Sequence, residues 1–195
     1  MEKKECQQVK NLEIRQLQQV ETVKDNIVEG YALKFDSPSE NLGGFIEFID
    51  KRALDGVDMS DVRMFVDHDS SKLLGRTKSG TLTLEVDDIG LKFRALLPDT
   101  SVGRDAMELV KRGDLSQCSF GFTVAKDEWR KADGINHRTI KQIKSLFEIS
   151  LVSIPAYADT DVSVAKRSLE QIEEENKQFQ KRKLELELNL LGLYK

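Results

Sequence analysis

The chain has 195 residues, of which 39% are hydrophobic and 33% are charged, and its formal net charge is -4 at pH 7. This length suits one domain with additional tails. Nucleic-acid-binding domains usually carry a basic excess, which is missing here. The apolar runs are too short to span a bilayer, and the first ten residues lack the apolar core of a secretory signal. We therefore expect synthesis in a reducing cytoplasm, with no nucleic-acid or membrane partner.

Cofactor and metal sites are not expected either. The two cysteines, Cys6 and Cys118, match no metal-binding spacing, and a disulfide between them is not expected in a reducing compartment. The Gly43-Gly44 pair lacks the helix and lysine that follow a phosphate-binding loop.

The chain divides into a polar lead of residues 1–11, a β-rich body of residues 12–166 and a charged tail of residues 167–195. The body opens with two predicted strands, residues 12–23 and 26–35, which flank a turn-prone Lys-Asp-Asn triplet. The segment GGFIEFIDKRALDG then predicts a short strand and a helical turn.

Four further short strands are predicted in the middle of the body. The segment DVRMFVDHD alternates between apolar and polar residues, as a half-buried strand does. The segment KLLGRTKSGTLTLEVDDIGLKFRALLP predicts three strands, because Ser79-Gly80 and Asp88-Ile89-Gly90 supply hairpin turns.

One helix interrupts the strands. Thr100 or Ser101 can cap its first turn, and Gly113 supplies its C-terminal stop. Two longer strands follow, CSFGFTVAKDEWR and KQIKSLFEISLVSI, with the polar connection KADGINHR between them.

The tail suits a charged helix. A narrow coiled-coil-like seam is indicated by apolar residues at intervals of seven, namely Ile172, Phe179, Leu186 and Leu193. The segment LELELNL alternates with period two, as a strand does, so its secondary structure is ambiguous. We interpret the tail as a solvated helix on the body, with an oligomerisation or scaffold-docking segment as the alternative.

A hydrolytic serine needs a base, and the chain has only two histidines. His68 ends the strand DVRMFVDHD, where alternation predicts that it shares a face with Met64 and Val66, opposite Asp67. A partly buried, neutral imidazole there could act as a base, and a hydrogen-bonded structural histidine is the alternative. His137 lies in a polar connection and is either an exposed loop residue or a second candidate.

Ser119 is the candidate nucleophile. Strand alternation places it with Gly121, opposite the apolar face of Phe120 and Phe122, and the glycine leaves room for a substrate backbone. Cys118 alternates onto the aromatic side and is predicted to be buried and inert. Ser116, nearer the preceding turn, is a weaker candidate.

Glu148 is a carboxylate in an apolar strand and therefore needs a donor or a cation. An imidazole N–H is one such donor, as in a catalytic triad, and an ion pair with a neighbouring Lys or Arg is the alternative. A metal site on Asp67, His68 and Asp69 is not expected, because alternation separates the histidine from the two acids.

Four segments resemble one known family. They are EGYALKFDSPSENLGGFIEFI, FVDHDSSKLLGRTKSGTLTLEVDDIGLKFRALLPDT, GRDAMELVKRGDLSQCSFGF and FEISLVSIPAYADTDV, and together they cover about residues 12–165. They resemble the prohead proteases of tailed phages and prophages, which are similar in fold to herpesvirus assemblin. The tail lies outside this resemblance.

The resemblance implies a fold and a catalytic site. The fold class would be β-rich α+β, a single closed or nearly closed antiparallel β-barrel with a few flanking helices. The catalytic residues would be His68 as base, Ser119 as nucleophile and Glu148 as the acidic third member. His137 is the alternative third member, because assemblin-type enzymes use a second histidine.

The resemblance also implies a biological role. The chain would be a serine endopeptidase without a cofactor or metal, enclosed in the viral procapsid in the host cytoplasm. Its substrates would be the scaffold segment of the major capsid protein and the protease itself, and the resemblance leaves room for a homo-oligomer. A non-catalytic capsid assembly or scaffolding module on the same fold is the alternative function.

Overall fold

The computed structural model describes residues 13–18, 20–24, 26–153, 174 and 177–187. In chain order, the described part of residues 13–153 contains β1 (Glu13–Gln18), β2 (Val20–Lys24), β3 (Ile27–Lys34), β4 (Phe45–Ile49), β5 (Arg63–Val66), β6 (Asp69–Arg76), a 3-10 turn (Thr77–Ser79), β7 (Leu82–Val86), β8 (Gly90–Leu96), α1 (Ser101–Arg112), β9 (Gln117–Ala132) and β10 (Ile135–Val152). Residues 177–187 are also helical, and nearly all of their side chains are exposed.

The strands form two sheets. The first sheet has the order β1-β9-β10-β5-β6, with β4 also paired to β10, and the second has the order β2-β3-β8-β7. β9 and β10 form a long antiparallel hairpin that is the centre of the first sheet. β4 and β5 lie along successive parts of β10 and run parallel to it.

The closed or nearly closed antiparallel barrel expected from the resemblance is wrong. Among the described strands, the two sheets are not hydrogen-bonded to each other, and neither sheet closes on itself to form a barrel. The first sheet is also mixed rather than antiparallel, since two of its strands run parallel to β10. Inward and outward residues alternate along strands in barrels and in stacked sheets alike, so the sequence pattern does not distinguish the two.

One main core joins the two sheets to one face of α1. Strands of both sheets and the helix contribute to it, and its members include Val28, Phe93, Phe120, Phe122, Ile149, Ala106, Met107 and Val110. We call the face of the first sheet that points away from this core the outer face.

Several predicted elements are confirmed. β6, β7 and β8 are the three short strands predicted in the middle of the body, and β2 and β3 form the predicted first hairpin. The Thr100 side chain caps α1 by accepting a hydrogen bond from the backbone N–H of Gly103 at 3.2 Å. Gly113 ends the helix with a φ of 81°, a left-handed conformation that glycine adopts without steric cost.

Two predicted boundaries are wrong. Residues 12–23 do not form one strand, because β1 and β2 belong to different sheets. The polar connection predicted at residues 131–138 is a two-residue turn, Asp133-Gly134, so His137 lies within β10 rather than in a loop.

The tail prediction is tested only where the structure describes it. The alternating LELEL segment is helical as far as residue 187, and Phe179 and Leu186 are exposed. Ile172, Leu193 and the lead of residues 1–11 lie outside the described residues. Among the described residues, no helix has the length and apolar character that a membrane span requires.

Candidate active site

The β9–β10 ladder brings the candidate nucleophile and the candidate acid to the same face. Ser119 lies opposite Ser150, and Gly121 lies opposite Glu148. Residues directly opposite one another on adjacent strands project to the same side. The predicted facing of Ser119, away from the core residues Phe120 and Phe122, is therefore confirmed.

A β-bulge in β10 directs Glu148 to the outer face. Leu146 pairs with Phe122 and belongs to the core, but the next register pair is Glu148 with Gly121, so Phe147 is an extra residue. Without this insertion, strict alternation would put Glu148 on the same face as Leu146. Bulges commonly redirect a side chain beside an active site.

His68 lies in the turn between β5 and β6. β5 ends at Val66, which pairs with Asp69, and both intervening residues have positive φ, 48° for Asp67 and 57° for His68. A two-residue hairpin turn of this type requires positive φ at both positions. The turn is fixed to the end of β10, because the Asp67 backbone N–H donates to Leu151 O and its carboxylate accepts from the Ser153 N–H, both at 2.9 Å.

The turn changes the direction predicted for His68. Alternation predicts an imidazole on the face of Met64 and Val66, but both of these belong to the main core, and the imidazole instead contacts Glu148 on the outer face. The prediction is wrong because the strand ends before His68, and the two left-handed residues break the period-two rule.

His68 and Glu148 are in direct contact. His68 Nδ1 lies 2.7 Å from Glu148 Oε1, and the His68 side chain is 25% exposed. The second carboxylate oxygen, Oε2, accepts a hydrogen bond from Ser150 Oγ at 2.6 Å. The alternative ion pair is not what the structure shows: Arg63 lies opposite Glu148 on β5, but its guanidinium contacts Asp61 at 3.3 Å.

Ser119 is fully buried, with 0% of its surface exposed. Its hydroxyl donates a hydrogen bond to the backbone carbonyl of Arg15 at 2.9 Å. Arg15 belongs to β1, which pairs with β9 so that Gln16 lies opposite Ser119. In this conformation, the hydroxyl proton of Ser119 points toward β1.

Gly121 makes room for the carboxylate of Glu148 rather than for a substrate. A Cβ at position 121 would lie 2.6 Å from Glu148 Oε1. The predicted free space beside Ser119 is therefore filled by the side chain that binds His68.

Cys118 is a poor nucleophile in this structure, and Ser116 lies outside the ladder that carries Ser119. Cys118 is buried in the main core, as predicted, and burial strongly raises the pKa of its thiol. Thiolate formation is therefore disfavoured. Ser116 is exposed, before the start of β9.

His137 is far from this cluster. It lies near the start of β10, stacked on Phe48 with ring centroids 5.8 Å apart. At a rise of about 3.3 Å per residue, the 11 residue steps from His137 to Glu148 cover about 36 Å along β10.

The three residues of the metal alternative bind separate partners. Asp67 accepts from Ser153, Asp69 accepts from the Ser71 backbone and hydroxyl, and His68 contacts Glu148. Within the described residues, no group of three or more His, Cys, Asp or Glu side chains is arranged to hold a metal ion.

Residues 10–175 match the sequence family described as Caudovirus prohead serine protease. The chain belongs to this family. It is 31% identical over 145 residues to the prohead protease of Enterobacteria phage HK97, a match that covers 73% of this chain and 61% of that protein. The chain thus spans about three fifths of the length of this curated relative.

A solved structure shares the fold of this prohead protease family member. The capsid assembly protease of bacteriophage T4 aligns with a TM-score of 0.51 and 11% sequence identity, over 73% of this chain and 97% of that one. At this identity the likeness concerns the fold alone.

Sequence reasoning missed two parts of the site. Ser150 was not a candidate, although the spacing of Glu148 and Ser150 places both on one face of a strand. The contact between the Arg15 carbonyl and Ser119 had no sequence signal, because a backbone carbonyl is present at every position.

Proposed function

We propose that this chain is a serine endopeptidase of capsid maturation in which Ser119 is the nucleophile, His68 the base and Glu148 the acid. The observation that carries the proposal is the 2.7 Å contact between Glu148 Oε1 and His68 Nδ1, on the sheet face that also bears Ser119. A carboxylate bound to Nδ1 fixes the tautomer in which the proton lies on Nδ1 and the lone pair that accepts a proton lies on Nε2. Glu148 is preferred to His137 as third member, because His137 lies at the other end of β10.

The proposed reaction is acyl transfer. The Ser119 hydroxyl turns from the Arg15 carbonyl toward His68, which takes its proton as the oxygen bonds to a peptide carbonyl carbon. The carbon–nitrogen bond then breaks, and the leaving amine receives the proton from His68. Water hydrolyses the resulting ester by the same proton transfers in reverse. Glu148 stabilises the charged imidazole at both stages.

We propose that the substrate is an extended segment of the capsid precursor, and that the protease also cleaves itself. The family description and the names of the HK97 and T4 proteins support a role within the procapsid, which forms in the host cytoplasm. Extended peptides bind proteases largely through main-chain hydrogen bonds to a strand, and the proposed nucleophile lies on a strand.

The test is co-expression of the chain with the capsid precursor, followed by intact mass measurement of both proteins. We expect Ser119→Ala to keep the fold and to lower precursor cleavage by on the order of 10⁴-fold or more. Wild-type protein should be labelled by a fluorophosphonate at Ser119, and Ser119→Ala should not be labelled.

Two variants serve as matched controls. Ser116→Ala removes an exposed serine close to the same strand, and His137→Gln removes the second histidine; neither should change cleavage by more than about twofold. Normal cleavage by Ser119→Ala would reject the assignment. A wild-type protein that binds the precursor without cleaving it or reacting with the phosphonate would indicate the non-catalytic assembly module.

A further inference from the structure

Ser150 holds the second oxygen of the Glu148 carboxylate. Its hydroxyl lies 2.6 Å from Oε2, which is the range of a short hydrogen bond from O–H to an ionised carboxylate. Ser150 is fully buried, with 0% of its surface exposed. Because a serine hydroxyl has a single proton, this contact commits that proton to Glu148.

The two carboxylate oxygens therefore have different partners. Oε1 contacts His68 Nδ1 at 2.7 Å, and Oε2 accepts from Ser150. Glu148 is 9% exposed, so loss of the Ser150 donor would leave Oε2 poorly solvated. When both oxygens of the carboxylate are hydrogen-bonded, the orientation of the group is fixed. Oε1 then stays directed toward the imidazole of His68.

The ladder also explains why Ser150 is not the nucleophile. Ser150 lies directly opposite Ser119, so two buried serine side chains are neighbours on the outer face. The Ser119 hydroxyl binds a neutral carbonyl, which releases it readily, whereas the Ser150 hydroxyl binds a carboxylate. Hydrogen bonds to charged groups are roughly twice as strong as those between neutral groups.

We propose that Ser150 is a positioning residue of the active site, acting on His68 through Glu148. This inference rests on the proposed function, since it concerns the same residues. Ser150 fixes the orientation of the Glu148 carboxylate and so maintains the hydrogen bond to Nδ1 that keeps the imidazole in its reactive tautomer.

The first test is a double-mutant cycle that uses the rate of fluorophosphonate labelling at Ser119. Ser150→Ala should lower this rate by between about 10-fold and 100-fold, the range expected for a hydrogen bond to a charged group. In a Glu148→Gln background the same substitution should change the rate by less than about twofold, because its effect passes through the carboxylate. Equal effects in both backgrounds would overturn the proposal.

The second test does not depend on activity. In protein labelled with ¹⁵N-histidine, the Nδ1-bound proton of His68 should give a downfield resonance that is absent from His68→Gln. Ser150→Ala should shift or broaden it, while Ser145→Ala, which changes another serine of β10, should leave it in place. An unchanged resonance in Ser150→Ala would overturn the proposal even if Ser119 proved not to be the nucleophile.

A further variant covers the case in which Ser150→Ala fails to fold. Ser150→Cys fills the site and replaces the hydroxyl by a weak donor, so it should show the same loss of labelling rate and the same change in the resonance. Wild-type behaviour of a folded Ser150→Cys protein in both measurements would contradict the positioning role.

Discussion

The side chain of Glu148 lies directly over Gly121 of β9, in the space that the side chain of any other residue at position 121 would occupy. The Cβ of any other residue would meet three atoms of Glu148, at 2.6 Å from Oε1, 3.2 Å from Cγ and 3.3 Å from Cδ. The end of a glutamate side chain can move, but Oε1 is also the atom that contacts His68. Movement that relieves the clash therefore weakens the contact between Glu148, the proposed acid, and His68, the proposed base.

We expect Gly121→Ala to lower the labelling rate of Ser119 by about tenfold or more while the fold remains intact. The added methyl group displaces the carboxylate by more than the few tenths of an ångström that a hydrogen bond tolerates. Labelling kinetics and the thermal unfolding midpoint are measured on the same protein.

Gly56→Ala is the matched control for this substitution. Gly56 has a φ of 73° and open space around it, so alanine there adds backbone strain without touching the site. This control should lose stability and keep its labelling rate. A wild-type labelling rate in Gly121→Ala would show that the carboxylate has another acceptable position.

At the scale of the element, β1 supplies the hydrogen-bond acceptor for the hydroxyl of the proposed nucleophile. It pairs with β9 along Glu13–Gln18, and the Arg15 carbonyl accepts the Ser119 hydroxyl proton. Ser119 has no exposed surface, so a substrate carbonyl reaches it only if part of the surrounding structure moves. We expect that partial separation of β1 from β9 would both release the hydroxyl and open the edge of β9.

A disulfide across this ladder tests whether such separation is required. Leu17 lies directly opposite Cys118, and Cβ atoms of opposite residues are about 4.5–5.5 Å apart, a little more than the roughly 3.5–4.5 Å of a disulfide. In a Cys6→Ser background, we expect Leu17→Cys to form this disulfide under an added oxidant, and the oxidised protein to be labelled at Ser119 at least about tenfold more slowly than the reduced protein.

Two controls separate the effect of the disulfide from the effect of the oxidant. Intact mass measurement verifies that the disulfide has formed, and Cys6→Ser alone should be labelled at the same rate with and without the oxidant. Equal labelling of the locked and reduced forms would show that Ser119 is reached while β1 stays on β9.

At the scale of the whole molecule, a buried cluster of charges joins four strands. Arg138 of β10 contacts Glu13 of β1 at 2.5 Å, Glu47 of β4 at 2.9 Å and Asp127 of β9 at 2.7 Å. Arg15 contacts the same two glutamates. Burial disfavours the charged guanidinium of Arg138, but these carboxylates more than compensate and raise its pKa.

Removal of Arg138 should therefore destabilise the protein strongly. Arg138→Met leaves buried carboxylates without one of their cations, and the loss of one partner of a buried ion pair costs about 3–5 kcal/mol. Urea denaturation measures the change in the free energy of unfolding. The control Arg63→Met removes an exposed pair with Asp61 and should cost less than about 1 kcal/mol; a similar cost for both variants would contradict this role of the cluster.

The sequence by itself determined the local elements and the identity of the candidate residues. The helix signals at Thr100 and Gly113, the hairpin turn at Asp88-Ile89-Gly90 and the facing of Ser119 depend on neighbours within a few positions, and the structure agrees with them. The hairpin turn predicted at Ser79-Gly80 is wrong, because β6 and β7 on either side of it belong to different sheets. The chain has only two histidines, which limits the candidates for a base. The acid is less restricted, because Glu47 in FIEFI is a second carboxylate in an apolar strand.

Only the tertiary structure decided how the sheets are built and how the candidate residues meet. The arrangement in two sheets, the parallel strands beside β10, the bulge at Phe147 and the left-handed turn at Asp67 and His68 depend on contacts between segments that are remote in the chain. Each of these features changes which side chains share a face. The alternation of apolar and polar residues along the sequence does not show where a bulge or a left-handed turn interrupts a strand. For the same reason, the proposed roles of Gly121 and Ser150 depend on the register of β9 with β10, and the proposed role of β1 depends on its pairing with β9.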